Sequence, residues 1–461
     1  MLTFLQSTHW LSVHGTIVTI GLLVYVLTTH SIRQRRTPTA AISWVLVIAL
    51  IPYVGLPLYL LFGTRKLMHA GNHGGGKALA PNPDSDDAWP RQLAASMGQL
   101  PAASYRNLRI HVDGKLALQS IWELIDSAGQ ELVLCTFILG RDAMGKELTA
   151  RLIDKARSGV SIRMLIDGTG YVMGGMASLR KLRAAGVRVA LYGPILHVPF
   201  TSRVNLRNHR KMIVADGARL WCGGRNFSAE YFDEVSTHGP WKDLSFDLEG
   251  PLAVGARELF ESDWALATSS PKVERAQAVQ IAQEPLAQVI ASGPDQSDDT
   301  VHDLLVTACF KARSHISAVT PYFVPSDALL TALLLAARTG VTVDLILPAR
   351  SNHAMADFVR HRAIRELAAA GGRVWLVPYM LHAKAVVVDD IMAMSGSANL
   401  DSRSMFLDYE MMVMFYDATD IRRFAEFIES HRNEAAAYQA RKPGLLRDLA
   451  EGLVLWLAFQ L

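Results

Sequence analysis

The sequence predicts an α/β protein of two similar domains, preceded by an N-terminal hairpin of apolar helices. Three observations carry that reading. A series of strand and helix patterns begins near Glu131 and returns near His315. Each series leads into a short segment with the same spacing of His, Lys and Asp. Ahead of both stand two uncharged apolar runs, each long enough to cross a bilayer core as a helix.

The apolar runs come first along the chain. Trp10 to Thr29 carries no formal charge, and Ile42 to Phe62 is equally apolar. The first run lacks the basic leader and small-residue cleavage site of a signal peptide. Joined by SIRQRRTPTA, the two form a hairpin. Pro52 and Pro57 interrupt the second run, so a re-entrant or tilted element is the alternative. Orientation is a tie, with Arg33, Arg35 and Arg36 set against Arg65, Lys66 and Lys77. The stretch from about His69 to Ser104 is rich in Gly, Pro and Asp, a linker composition. Folded chain is expected from near Arg109. The expected division is 1–66 anchor, 67–104 linker, 105–269 first domain, 270–300 connection, 301–440 second domain and 441–461 apolar tail. The tail, too short to span, lies at the interface or docks on the body.

In the first domain ELVLCTFIL reads as a strand, MGKELTARLIDKARSG as a helix, SIRMLID as a strand, SLRKLRAAG as a helix and VRVALYG as a strand. In the second, HISAVTPYFVP, SDALLTALLLAARTG, VTVDLILP, FVRHRAIRELAAAGG and RVWLVP repeat the order. Alternation of this kind implies sheets covered by helices. Repetition of a whole domain implies two halves rather than a solenoid.

Composition narrows the function. Half of the 461 residues are hydrophobic, and the mean hydropathy of +0.17 is high for a soluble protein. A net charge of +3 offers no strong field for nucleic acid. Cys135, Cys222 and Cys309 lie far apart among apolar neighbours and read as buried free thiols.

The first series ends in NHRKMIVADGARLWCGGRN, the second in LHAKAVVVDDIMAMSGSAN. His209, Lys211 and Asp216 share the H-x-K-x4-D spacing with His382, Lys384 and Asp389. Gly223, Gly224 and Asn226 follow the first, and Gly396, Ser397 and Asn399 the second. His and Lys two apart on a strand project to one face. The glycine-rich exit would bring backbone or a small side chain near a phosphate. A lone His-x-Lys usually marks a solvated surface, but two full copies at matching places in a repeat are poorly explained by chance. Asp216 and Asp389, though part of the motif, read as ties between adjacent strands. His197 and His361 lack such support and read as packing or surface residues.

This pair resembles the signature of the phospholipase D superfamily. PYFVPSDALLTAL, NLDSRSMFLDYE and the two-helix anchor resemble its bacterial cardiolipin synthase branch, over roughly residues 105–440 and 10–66. The resemblance implies two phospholipase D-like domains with both motifs at one shared active site. It implies a multi-pass enzyme of the inner (plasma) membrane that acts on phosphatidylglycerol, without metal, cofactor or nucleic acid. Self-association stays open. Lys211 and Lys384 would neutralise the phosphate, with Asn226, Asn399 and Ser397 bonding its oxygens. One imidazole would attack phosphorus and the other would move protons. The resemblance makes His209 the nucleophile and His382 the acid/base; the motifs themselves are symmetric on this point. A carboxylate is wanted behind each histidine. Glu410 occupies the family position for it in the second half, whereas the same offset in the first half falls on Thr237. Asp243 is the substitute there and Glu230 the weaker alternative. Gly224 stands where the second half has Ser397. Rival readings are another phosphatidyltransferase, a lipid hydrolase, or a non-catalytic membrane scaffold.

Overall fold

In the computed structural model the described residues are 2–32, 38–63, 86–174, 176–193, 205–232, 240–271 and 285–458. His197, Thr237, the flanking basic residues of the anchor and residues 64–85 lie outside them.

Three helices form the N-terminal unit: α1 (Leu2–Ile32), α2 (Pro38–Leu50) and α3 (Pro52–Phe62). Within α1, Ser12–Thr29 is apolar and long enough to cross a membrane. The second apolar run is not one helix. It breaks at Ile51 because Pro52 has no N–H to continue the ladder of α2 and instead starts α3, where that donor would be unpaired anyway. Tyr25, Trp44, Ile48 and Tyr59 form the small core that joins the three helices. Thr28 Oγ1 and the Tyr59 hydroxyl share a hydrogen bond of 2.5 Å across it.

The rest is built on two large sheets, with a small parallel pair of Phe323–Val324 and Leu400–Asp401 beside the second. The first half forms seven strands in the order Arg106–His111, Ser245–Glu249, Arg219–Gly223, Met212–Ala215, Glu131–Thr136, Ser161–Asp167, Arg188–Tyr192. The second half builds nine, whose middle repeats this order with Leu286–Ser292, Glu410–Phe415, Met392–Gly396, Ala385–Val388, His315–Val319, Thr342–Pro348 and Arg373–Val377. In each sheet the motif strand lies antiparallel between a parallel set and an antiparallel set. The inner faces share one core. Val133, Met212 and Leu220 of the first half pack in it with Ala385, Val387 and Val413 of the second. Helices Pro251–Thr268 and Ala418–Asn433 contribute Ala256, Phe260, Phe424 and Ile428 to the same core. Separate cores cover each outer face.

The expected linker is too long at its C-terminal end. Residues 86–104 are folded, and they belong to the second half. Trp89 and Ala94 of the helix Trp89–Ser96 join that half's outer core. Gln99 accepts a hydrogen bond of 2.8 Å from Ala291 N, and Ala103–Ser104 pairs with the edge strand Leu286–Ser292. Its Gly, Pro and Asp composition is that of a linker only up to about Asp86. The three cysteines are buried and free.

Candidate active site

Both histidines lie just before their motif strands, where the two halves meet. Each is fixed by backbone hydrogen bonds to the opposite half. His209 N donates to Tyr409 O at 2.9 Å, and Tyr409 N returns a bond of 2.8 Å to Arg207 O. In mirror fashion, Lys242 N donates to Met380 O at 2.9 Å and His382 N donates to Lys242 O at 2.6 Å. The residue after Tyr409 is Glu410, and the one after Lys242 is Asp243. The carboxylates are therefore exchanged between halves. Asp243 Oδ2 accepts from His382 Nδ1 at 2.7 Å, while Glu410 Oε1 lies 3.5 Å from His209 Nδ1.

The strand register shows that Asp243 and Glu410 are equivalent. Gly223 pairs with Ser245 and Gly396 with Met412, so each carboxylate stands two residues before the partner of its motif glycine. From that glycine the distance along the chain is 20 residues to Asp243 but 14 to Glu410. Six extra residues before Asp243 explain why a constant offset lands on Thr237. Glu230, the weaker alternative, accepts instead from Ser228 Oγ.

The exchange of Ser397 for Gly224 follows from the shorter carboxylate. A Cβ on Gly224 would come within 2.2 Å of Asp243 Oδ1. In the second half that space holds Ser397, whose hydroxyl donates to Glu410 Oε2. Ser397, expected on the phosphate, is thus turned to the carboxylate. The neighbouring glycines are likewise explained by packing rather than by a phosphate. A Cβ would meet Leu244 O at 2.4 Å from Gly223 and Met411 O at 2.1 Å from Gly396.

Lys211 Nζ donates to His209 O at 2.5 Å. Lys384 Nζ lies against the His382 ring, 3.1 Å from Nε2, and also donates to His382 O. Burial, then the positive charge of the neighbouring lysine, pulls both imidazoles down to about 3, so both are neutral at neutral pH. Burial first and Lys211 further on pull Lys384 down to about 7, against the attraction of Asp243. Burial would raise the Asp243 carboxyl, but the contact with His382, helped by Lys384 and Arg225, holds it below the ordinary range. The two histidines differ in access, with 24% of the His209 side chain exposed against 9% for His382.

Asn226 Nδ2 donates to the Tyr231 hydroxyl at 2.8 Å and Asn399 Nδ2 to Ser404 Oγ at 3.2 Å, the same offset in each half. The Oδ1 atom of each is buried without a hydrogen bond.

Asp216 and Asp389, which share the motif with the histidines, lie at the far ends of the motif strands. Asp216 accepts from Gly129 N, Gln130 N and Glu131 N at 2.8 to 2.9 Å. Asp389 accepts from Arg313 N, Ser314 N and His315 N at 2.7 to 3.0 Å. Both adopt left-handed backbone, with φ of 52° and 46°. They tie the turn after the motif strand to the start of the neighbouring strand, and they do not face the reacting groups. His361 sits half-buried with Arg447 and Arg360 as its charged neighbours.

Some residues at the site carry no repeat signal. Asp408 Oδ2 lies 3.9 Å from His209 Nδ1 and 3.2 Å from Arg403 Nε. Phe137 packs on His209, with ring centroids 4.3 Å apart. Tyr231 and Trp241 flank His382 at 5.2 and 5.5 Å. Of these, Asp408 stands two residues before Glu410 in LDYE, Tyr231 five after Asn226 and Trp241 two before Asp243, whereas Phe137 is far from every motif residue in sequence. His209, Asp408 and Glu410 also lie close enough together to ligate a metal ion.

A family model for the PLD-like domain of cardiolipin synthase matches the chain twice, at residues 121–237 and 305–432. A second, described as a phospholipase D-nuclease N-terminal segment, matches residues 17–63. Cardiolipin synthase A of Pseudomonas aeruginosa is 31% identical over 420 residues, covering 87% of this chain and 86% of that protein. Cardiolipin synthase of Geobacillus kaustophilus is 30% identical over 427 residues, covering 87% and 84%. Among solved structures, phosphatidylserine synthase of Haemophilus influenzae superposes with a TM-score of 0.62 at 14% identity, covering 81% of this chain and 98% of that one. At that identity the likeness speaks for the fold alone.

Proposed function

The chain belongs to the cardiolipin synthase family of phospholipase D-like enzymes, and from that premise we propose that it joins two phosphatidylglycerol molecules into cardiolipin and releases glycerol. The observation that carries this reading is the pair of imidazoles, each backed by a carboxylate from the opposite half and flanked by a lysine.

His209 Nε2 attacks phosphorus of the donor lipid. The P–N bond forms as the P–O bond to glycerol breaks, and protonated His382 supplies the proton to the departing alkoxide. A second phosphatidylglycerol then gives its hydroxyl proton to His382, and its oxygen displaces His209 from phosphorus. The closer His382–Asp243 contact suits a group that must carry a proton, since the buried carboxylate steadies the imidazolium. The greater exposure of His209 suits the nucleophile. Both imidazoles are neutral in the free enzyme, and a bound phosphodiester anion raises their proton affinity. Lys211 and Lys384 oppose the phosphate charge. A half-turn of the Asn226 or Asn399 amide would present its NH₂ to a phosphate oxygen.

We read α1 as the membrane span and the broken pair α2–α3 as a re-entrant element packed on it, in the inner membrane. The multi-pass alternative needs two short helices to cross together.

The test is chemical. With phosphatidylglycerol in micelles, labelled cardiolipin and glycerol are the expected products, and phosphatidic acid alone would replace synthesis with hydrolysis. A p-nitrophenyl phosphatidyl ester needs no leaving-group proton, so His382→Ala should accumulate a lipid adduct on His209, located by acid-quenched mass spectrometry. An adduct on His382 in the His209→Ala protein, with none on His209 in the His382→Ala protein, would reverse the two roles. Chelators should leave turnover intact because two lysines supply the charge a metal would bring. Loss in EDTA restored by a divalent ion would move the role of His209, Asp408 and Glu410 to metal binding.

A further inference from the structure

Among the described residues of the two halves, eight large apolar side chains stand exposed. Six of them, Val112, Leu116, Val172, Met173, Met176 and Met355, cluster at the end of the fold that carries the histidines. Their exposure runs from 41% to 63%.

Five can be traced to the site through a named contact, and Met176 follows Met173 across the turn at Gly174, whose carbonyl accepts from Met176 N at 2.9 Å. Arg225 Nη2 donates to Val112 O at 3.0 Å and to Asp243 O at 2.6 Å, which puts Val112 one side chain from the partner of His382. Leu116 lies on the first turn of the helix that follows, capped by Asp113. Asp167 accepts from Asn208 N at 2.9 Å, beside His209, and caps the helix Gly168–Met173 that carries Val172 and Met173. Met355 opens the helix Ala354–Ala369. Its neighbour His353 packs on Tyr322 at 5.2 Å, and Tyr322 faces His382 at 6.5 Å.

The segments that bear Val172, Met173 and Met355 are related by the internal repeat. Ser161 pairs with Glu131, and Thr342 with His315, at the equivalent strand starts that Asp216 and Asp389 tie. The strands Ser161–Asp167 and Thr342–Pro348 therefore correspond, and the segments after them bear Val172 and Met173 on one side of the site and Met355 on the other. Phe310, by contrast, is 63% exposed at the opposite end, near the turn tied by Asp389. Exposed Lys115, Arg141 and Lys242 stand among the six.

From this arrangement we infer that the active-site end of both halves seats on the surface of a bilayer of anionic phospholipid, with the six apolar side chains in the acyl–headgroup boundary. Exposed apolar groups grouped at one end of the fold and accompanied by cations match such a surface, which offers hydrocarbon and negative charge at one depth. The inference rests on the lipid reading of the site. It adds that substrate enters from the membrane plane, between Met173 and Met355, so the phosphodiester need not leave the interface to reach His209.

The experiment uses the full chain in vesicles of phosphatidylglycerol and phosphatidylcholine. A bimane label is placed at Met173→Cys, Met355→Cys or Phe310→Cys, the native thiols being buried. Brominated acyl chains should quench the labels at 173 and 355 and spare the one at 310. Equal quenching at all three positions, or none at 173 and 355, overturns the seating. As a second arm, the double variant Met173→Glu/Met355→Glu should turn over bilayer phosphatidylglycerol on the order of tenfold more slowly. Its turnover of dissolved short-chain phosphatidylglycerol should match the parent, and a parallel loss on both substrates counts against the proposal. Quenching is read without turnover, so it stands or falls separately from the assigned reaction.

Discussion

Lys384 shows how a single residue couples this site to pH. Its ammonium is buried against His382 and lies near the second lysine, which brings it down to about 7. Because the folded value is depressed, the charge is present below that pH and lost as pH rises through it. Anion binding favours the charged form, so affinity should weaken on the alkaline side. A nonhydrolysable phosphonate analogue of phosphatidylglycerol should bind on the order of tenfold more weakly per pH unit above about 7. In Lys384→Met the slope should vanish and the affinity stay low. A pH-independent inhibition constant in the parent would show that Lys384 does not bear the anion's charge. At the same scale, Gly224 and Asp243 are one device. The glycine exists because the shorter carboxylate occupies the space that Ser397 fills opposite Glu410.

At the scale of elements, the third residue of each motif is a structural tie. Asp216 satisfies three backbone N–H groups at the head of the strand Glu131–Thr136 and holds a left-handed turn at φ 52°. Removing the carboxylate leaves those donors to water and strands one end of the motif hairpin. Asp216→Ala should cost about 1–3 kcal/mol, read as a lower thermal midpoint. The fraction that remains folded should keep its kcat to within a few-fold. His382→Ala, in contrast, should lose roughly a hundred- to ten-thousandfold in turnover of phosphatidylglycerol without losing stability. If Asp216→Ala instead matched His382→Ala in kcat at full stability, the residue would have to act on the reacting groups.

The whole molecule is held together by exchange between its halves. Each motif borrows its carboxylate from the other half, and residues 86–104, which precede the first half in sequence, complete the second. A chain beginning at Asp86 should therefore fold like the parent. One beginning at Pro101 loses Trp89 and its helix from the outer core and should be less stable by about 3–5 kcal/mol. Thermal unfolding of the two truncated chains decides this, and equal midpoints would make 86–100 dispensable. The C-terminal helix Leu445–Ala458 docks on the body through one face and leaves another open. Its buried Glu451 bonds Arg365 and Arg447, while Leu445, Leu446 and Leu449 stay 62% to 84% exposed.

Much of this was written in the chain itself. Alternating strand and helix patterns, repeated whole, specified two α/β halves, because apolar periodicity is a local property that each segment carries with it. The paired His-x-Lys spacing, repeated whole in both halves, named His209, Lys211, His382 and Lys384, although both pairs lie just ahead of the strands on which the sequence set them. Pro52 marked a break in the second apolar run. Tertiary structure alone decided the rest. That Asp243 rather than Thr237 corresponds to Glu410 depends on strand register, which a six-residue insertion hides from any constant offset. That each carboxylate serves the other half's histidine depends on how the two sheets face each other. That residues 86–104 belong to the second half depends on pairing with a strand nearly two hundred residues away. Periodicity and spacing act over a few residues and survive in one dimension; register, exchange and edge pairing join distant segments and exist only once the chain has packed.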